Sequence, residues 1–209
     1  MLLPADAILT PCANLLGPSG TLLLFGGTYG NLDNSRAKQQ DNDNREVVAG
    51  TFAGVINARS DLWLFQDKKW TALSTPGTIP AARSFFGFSA LPDSDTTFLL
   101  FGGFTVKRLP ELADTWRLSL TSTSNSYAGA WQQIQPTGPS PSGRVGHGLT
   151  ASNDGKMHLF GGGKFQWDQI DSKAQTLLLR TARPNADAHW VFDPEGDIEM
   201  LIASAYSAG

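Results

Sequence analysis

The chain has 209 residues, a formal net charge of −3 at pH 7 and 17% charged residues. That length can bury a core as one large domain or two small ones. The charge is too small and too scattered to favour nucleic acid or an anionic membrane as partner, and no apolar run approaches the roughly 18 to 20 residues of a membrane helix. A soluble chain is expected. The N-terminal MLLPADAILT has no basic region and carries Asp6, which argues against a secretory leader, and the single cysteine, Cys12, has no internal partner. Both point to a reducing, cytoplasmic setting.

In chain order the first candidate element is AILTPCAN at 7–14, read as an inner strand, followed by LLLFGG at 22–27. Four apolar residues running into Gly26 and Gly27 pose a choice. A glycine pair between a strand and a helix start can present free N–H groups to a phosphate, whereas a pair without a helix after it is a bend. The next residues, TYGN, read as loop. An insert over 28–60 leads to DLWLF with Trp63 and, after a short turn, KWTAL with Trp70. The insert is polar with balanced charge, and residues 31–45 are expected to lack order. Its DNDN stretch lacks the glycine and closing glutamate of a calcium loop.

The same order then returns. PAARSFFGFSAL carries Arg83, LPDSDT at 91–96 reads as a turn, and FLLFGGF holds Gly102 and Gly103. A shorter loop with Lys107 and Arg108 leads to DTWRL with Trp116 and AWQQI with Trp131. In the third copy PSPSGRVGHGLTAS contains Arg144, Gly146 and His147, SNDGK is an Asp-Gly hairpin signal, and MHLFGGG holds Gly161 and Gly162. An insert over 163–186 precedes DAHWVF with Trp190, where the acidic Asp187 is displaced by one position. No second tryptophan comes after it, and DIEMLIAS is expected to supply the outer strand with Met200 or Ile198 in its place.

Each unit is a run of four to eight β-branched or aromatic-rich residues bounded by turn chemistry, and helical periodicity is weak throughout. The expected fold is all-β: four-stranded antiparallel meanders, with strand two ending in Gly-Gly. The ordered set of Phe-Gly-Gly, Pro-x-x-Arg-x-Gly-His, Asp-x-Trp and second Trp resembles the kelch repeat. The resemblance implies a β-propeller of four-stranded blades with a period of about 50 residues. Three blades result: 5–75 with insert 28–60, 76–136, and 137–204 with insert 163–186. Closed propellers have four to eight blades, so three leave apolar end faces to be covered by further blades or by self-association.

In this frame the glycine pairs are structural, and the five framework tryptophans are core. Arg83 and Arg144 are expected to be semi-buried and to satisfy backbone carbonyls between adjacent blades. His147, His158 and His189 show no metal-ligand spacing, and no metal, cofactor or catalytic group is expected. The family also resembles copper oxidases and plant specifier proteins in fold, but neither a cysteine-linked tyrosine with histidine ligands nor an iron-binding loop is recognisable, and no Gly-x-Ser-x-Gly elbow occurs. The inserts all come after the second strand and so emerge on one face. Within KFQWDQIDSKAQTLLLRTARPNA, Lys164, Trp167, Arg180 and Arg183 mix aromatic and basic groups as protein-binding edges do, and Leu177 to Leu179 read either as part of that edge or as a buried extra strand. With Lys107 and Arg108 they are the expected contacts of a protein partner. The resemblance implies a non-enzymatic scaffold or adaptor. The alternatives are a galactose-oxidase-like or sugar-isomerase enzyme working in the central channel, and a fragment without independent function.

Overall fold

The computed structural model describes residues 12–16, 21–29, 37–40, 46–49, 51–52, 57–105, 111–122, 127–136, 139–171, 176–184, 189–192 and 200–201. Among them there is no helix, and none long and apolar enough to cross a membrane. The strands run β1 Cys12–Leu16, β2 Thr21–Phe25, β3 Thr28–Tyr29, β4 Ala37–Gln40, β5 Glu46–Ala49, β6 Thr51–Phe52, β7 Asn57–Ala58, β8 Leu62–Gln66 and β9 Lys69–Ala72. They continue with β10 Gly87–Ala90, β11 Thr97–Phe101, β12 Thr115–Ser122, β13 Tyr127–Ile134 and β14 Gly148–Ala151. The last are β15 Met157–Phe160, β16 Gly163–Asp171, β17 Thr176–Pro184, β18 His189–Phe192 and β19 Met200–Leu201.

Three four-stranded antiparallel sheets result, ordered β1-β2-β8-β9, β10-β11-β12-β13 and β14-β15-β18-β19. Their registers coincide. Trp63 lies opposite Leu24, Trp116 opposite Leu100 and Trp190 opposite Leu159, in each case the residue before the Phe of Phe-Gly-Gly. On the outer strands Trp70 faces Phe65, Trp131 faces Leu118 and Met200 faces Phe192. Met200 therefore takes the place of the missing tryptophan. The β8–β9 connection is a two-residue turn whose Asp67 and Lys68 have φ of 50° and 61°, the hand that matches strand twist.

Alternation along the strands sends one side chain set to each neighbouring sheet. Leu23, Phe25, Leu62 and Leu64 of the first sheet meet Phe88, Phe98, Leu100, Trp116 and Leu118 of the second in one core. Leu99 and Phe101 on the second sheet's other face meet Met157, Leu159, Trp190 and Phe192 of the third in another. Phe25 sits 5.6 Å edge-on to Phe86, and Phe101 sits 5.5 Å edge-on to His147, so the aromatic contact is reproduced from one interface to the next.

The tryptophans are not uniformly core, which corrects the sequence expectation. Trp116, Trp131 and Trp190 are buried, but Trp63 and Trp70 are only half-buried. Both belong to the first sheet, and Trp63 lies on the face opposite the one packed on the second sheet. At the other end Phe160 is 66% exposed, although its counterparts Phe25 and Phe101 are fully buried. Among the described residues, each end of the stack thus lacks the sheet that covers the same register elsewhere.

The inserts contain further strands. β4 pairs with β5 and β3 with β7, so Ala37 to Gln40 pair with 46–49 within the stretch 31–45 where absence of order was expected, while 31–36 and 41–45 lie outside the described residues. β16 and β17 form a long hairpin, and β17 continues to β6 through Leu177 opposite Phe52 and Leu178 opposite Thr51. Residues Leu177 to Leu179 accordingly lie in an extra strand.

Candidate functional site

The glycine pairs resolve into scaffolding. Gly26, Gly102 and Gly161 have φ of 62°, 66° and 69°, and Gly27, Gly103 and Gly162 have 100°, 96° and 82°, all in the region that side chains avoid. A Cβ on Gly103 would come within 2.8 Å of the Phe86 Cβ and the Ser84 carbonyl oxygen. The amides of the first two pairs are spent as well. Gly27 N–H donates to the Arg83 carbonyl at 3.0 Å and Gly103 N–H to the Arg144 carbonyl at 2.9 Å, each tying one sheet to the first residues of the next. Donors committed in this way are not open to an anion at the first two pairs.

Arg83 and Arg144 are fully buried, and their side chains act within their own sheets rather than between neighbours as expected. Arg83 donates to the carbonyls of Ala81 and Gly102 at 3.0 and 2.9 Å and forks onto both oxygens of Asp114 at 2.6 and 2.7 Å. Asp114 also accepts from the Trp116 indole at 2.7 Å. Burial alone would raise the Asp114 carboxyl, but these donors and the Arg83 charge outweigh it and hold the group below 3.8. Arg144 repeats the pattern with Ser142 and Gly161 carbonyls at 3.1 and 3.0 Å, while Asp187 lies outside the described residues. In the first sheet Arg59 meets Asp61 at 3.3 Å with both side chains over a third exposed, and Asp61 accepts from Trp63 at 2.8 Å. Sequence reasoning missed these arginine–aspartate pairs. The signal was present: Asp-x-Trp puts the carboxylate two residues from an indole, and a buried guanidinium requires an anion or several carbonyls.

Gly146, with φ of 66° and open space at its Cβ, is the turn before His147. His147 is buried against Phe101, and neither ring nitrogen has a hydrogen bond of ordinary geometry. Desolvation, then the Arg144 charge, push its pKa down to about 4, against a weaker opposing pull from the Phe101 backbone. It stands where the second sheet has Phe86, and it works as an aromatic packing residue.

Of the expected partner contacts, Lys107 and Arg108 lie outside the described residues. The others share the β16–β17 hairpin: Lys164 stands opposite Arg183, Gln166 opposite Arg180 and Trp167 opposite Leu179. Lys164 is exposed. Irregular register between Lys164 and Gln166 and between Trp167 and Ile170 marks bulges in this hairpin.

Sequence spacing separates the three histidines, but the third sheet brings two together. His158 Nδ1 and His189 Nε2 are 3.0 Å apart, and His158 Nε2 is 3.0 Å from Ser152 Oγ. Among the described residues no group of three or more His, Cys, Asp or Glu is placed to hold a metal ion. Aligning MHLF with LLLF and FLLF would have revealed His158 at the position of Leu23 and Leu99.

No protein-family model matches the chain. It is 31% identical over 120 residues to the tRNA wybutosine-synthesizing protein 4 of Aspergillus fumigatus, covering 56% of this chain and 10% of that protein. By structure it resembles YjhT, with a TM-score of 0.56 and 15% identity over 95% of this chain and 56% of that one. It also resembles a chain of a RAG complex with one melted and one unmelted RSS, with a TM-score of 0.51 and 14% identity over 95% of this chain and 53% of the other. The chain thus spans about a tenth of the curated relative and about half of each solved structure. The likeness to the structures is one of fold, and the fold is all-β, antiparallel and of the β-propeller type.

Proposed function

We propose that this chain is a non-enzymatic protein-interaction module of kelch type, an arc of three propeller blades at 5–75, 76–136 and 137–204 that presents its inserted loops to a protein partner. The observation that carries the reading is the pairing of Leu177 and Leu178 with Phe52 and Thr51. It links the inserts 28–60 and 163–186 through one three-stranded sheet, β16-β17-β6, separate from the three blade sheets, and segments carried on such a scaffold are well placed for recognition. Lys164, Trp167, Arg180 and Arg183 belong to its β16–β17 hairpin and, with Lys107 and Arg108, are the contacts this reading assigns. The buried charged groups support the same reading, since Arg83, Asp114 and Arg144 are consumed by structural bonds. A reducing, cytoplasmic setting suits the single cysteine. The end faces are covered by further blades or by association of chains. The test is affinity capture with the wild-type chain and with the Lys164, Trp167, Arg180 and Arg183 alanine variant, alongside thermal unfolding of both. Loss of specific partners with an unchanged unfolding temperature supports the module; collapse of stability assigns these residues to the core.

The likeness to a wybutosine-synthesizing protein favours a second reading, in which the module serves within a tRNA-modifying enzyme. The net charge of −3 favours protein contacts over RNA contacts for this segment. Titration with bulk tRNA separates the two: no binding at low salt agrees with a protein-facing module, and salt-dependent binding overturns it.

A further inference from the structure

The outward face of the third sheet carries chemistry that its register does not require. Where the first and second sheets place Leu23 and Leu99 in a packed core, the third places His158, and where they have Leu62 and Thr115 it has His189. The two imidazoles lie on the same face, with rings 5.3 Å apart and facing nitrogens 3.0 Å apart. His158 is half-buried and His189 exposed.

We propose that His158 Nδ1 and His189 Nε2 together bind a divalent copper or nickel ion, with water completing the coordination. Ser152 sets the tautomer. Its hydroxyl donates toward Asp154 Oδ1 and lies 3.0 Å from the Lys156 carbonyl oxygen, another acceptor. Its lone pairs therefore receive the proton on His158 Nε2, which leaves Nδ1 without a proton, 3.0 Å from His189 Nε2. His189 needs its proton on Nδ1 to present Nε2, a tautomeric change with no net proton loss.

The separation selects the metal. With metal–nitrogen bonds of about 2.0–2.1 Å, two nitrogens 3.0 Å apart subtend roughly 90°, the cis angle of a tetragonal ion. A tetrahedral zinc site would need about 3.3–3.4 Å. Hard cations such as magnesium prefer oxygen ligands and are excluded by the donor set.

The test is titration with Cu²⁺ and with Ni²⁺ of the full chain carrying Trp63→Asp, a change at the opposite end of the stack that keeps a second chain off the third sheet's outer face, in a non-coordinating buffer, followed by calorimetry, with electron paramagnetic resonance on the copper form. One equivalent is expected, with coupling to two imidazole nitrogens and no response to Mg²⁺. His158→Ala and His189→Ala each weaken binding by about tenfold or more, and Ser152→Ala by about tenfold with recovery in Ser152→Thr. Cys12→Ser leaves the affinity unchanged. Coupling to fewer than two imidazoles, or unchanged affinity in the double histidine variant, overturns the site.

Discussion

Arg83 and Asp114, 31 residues apart in sequence, meet in a two-bonded fork of 2.6 and 2.7 Å that fastens the segment leading into β10 to the head of β12. The arginine side chain is 1% exposed and the aspartate 21%, so the guanidinium has no solvent to fall back on. Asp114→Asn leaves that charge facing a neutral amide and is expected to cost about 3 kcal/mol, measured by urea unfolding. The pair also sets an acid limit. The Asp114 carboxyl is held below its ordinary 3.8, so its contribution is complete above that pH and disappears as pH falls through the lowered value. The Asn variant should lack this acid-dependent loss.

His147 titrates in a different window. Its pKa falls to about 4 in the fold from 6.5, so the unfolded chain binds the proton first. Stability is full above about pH 6.5, declines as pH drops toward 4, and changes no further below it for this group. The decline is of order 3 kcal/mol. His147→Phe, which copies Phe86 of the preceding sheet, removes an imidazole with no hydrogen bond of ordinary geometry and should raise the unfolding temperature by a few degrees. Unfolding of both proteins between pH 4 and 7 checks it: the variant's profile should be flatter.

Gly77, in the connection after β9, and Gly103, of the second pair, separate strain from crowding. Gly77 has φ of 87° with open space at its Cβ, whereas Gly103 has φ of 96° and backbone atoms of Ser84 and Phe86 in the way. Gly77→Ala carries the conformational cost alone, about 1 kcal/mol. Gly103→Ala adds a clash with main chain that cannot move aside, and should cost several times more in the same unfolding assay.

Trp116 and Trp63 occupy one register with unequal cover. Trp116→Ala should cost about 3–5 kcal/mol, as for other buried large side chains. Trp63→Ala, on the half-buried end face, should cost clearly less in the isolated chain. Equal losses would mean that the first sheet is already covered.

Much of the fold was legible because a repeat constrains each copy by the others. Phe-Gly-Gly fixed the strand ends since two successive left-handed residues tolerate little else, and Asp-x-Trp fixed the third strand since an indole N–H needs an acceptor. The Arg83–Asp114 fork was not legible: the motif names both residues, but only folding reveals that the guanidinium turns into its own sheet. The half-burial of Trp63 was likewise hidden, because register specifies which face a side chain takes and says nothing of what covers it. The joining of Leu177 to Phe52 depended on two inserts with no shared motif, which pair through backbone groups that every sequence has. The His158–His189 contact lay in plain view of the repeat alignment, but a histidine within an apolar strand reads first as packing.

The sheets stack face to face, each covering its neighbour, with Trp63 and Phe160 marking the two open ends. Molecular mass in solution, taken together with the unfolding profile, tests this most directly. Association above the 22.4 kDa of one chain, reduced to the single-chain mass by Trp63→Asp with Phe160→Asp, is the predicted result. A wild-type monomer with one sharp cooperative transition would contradict it.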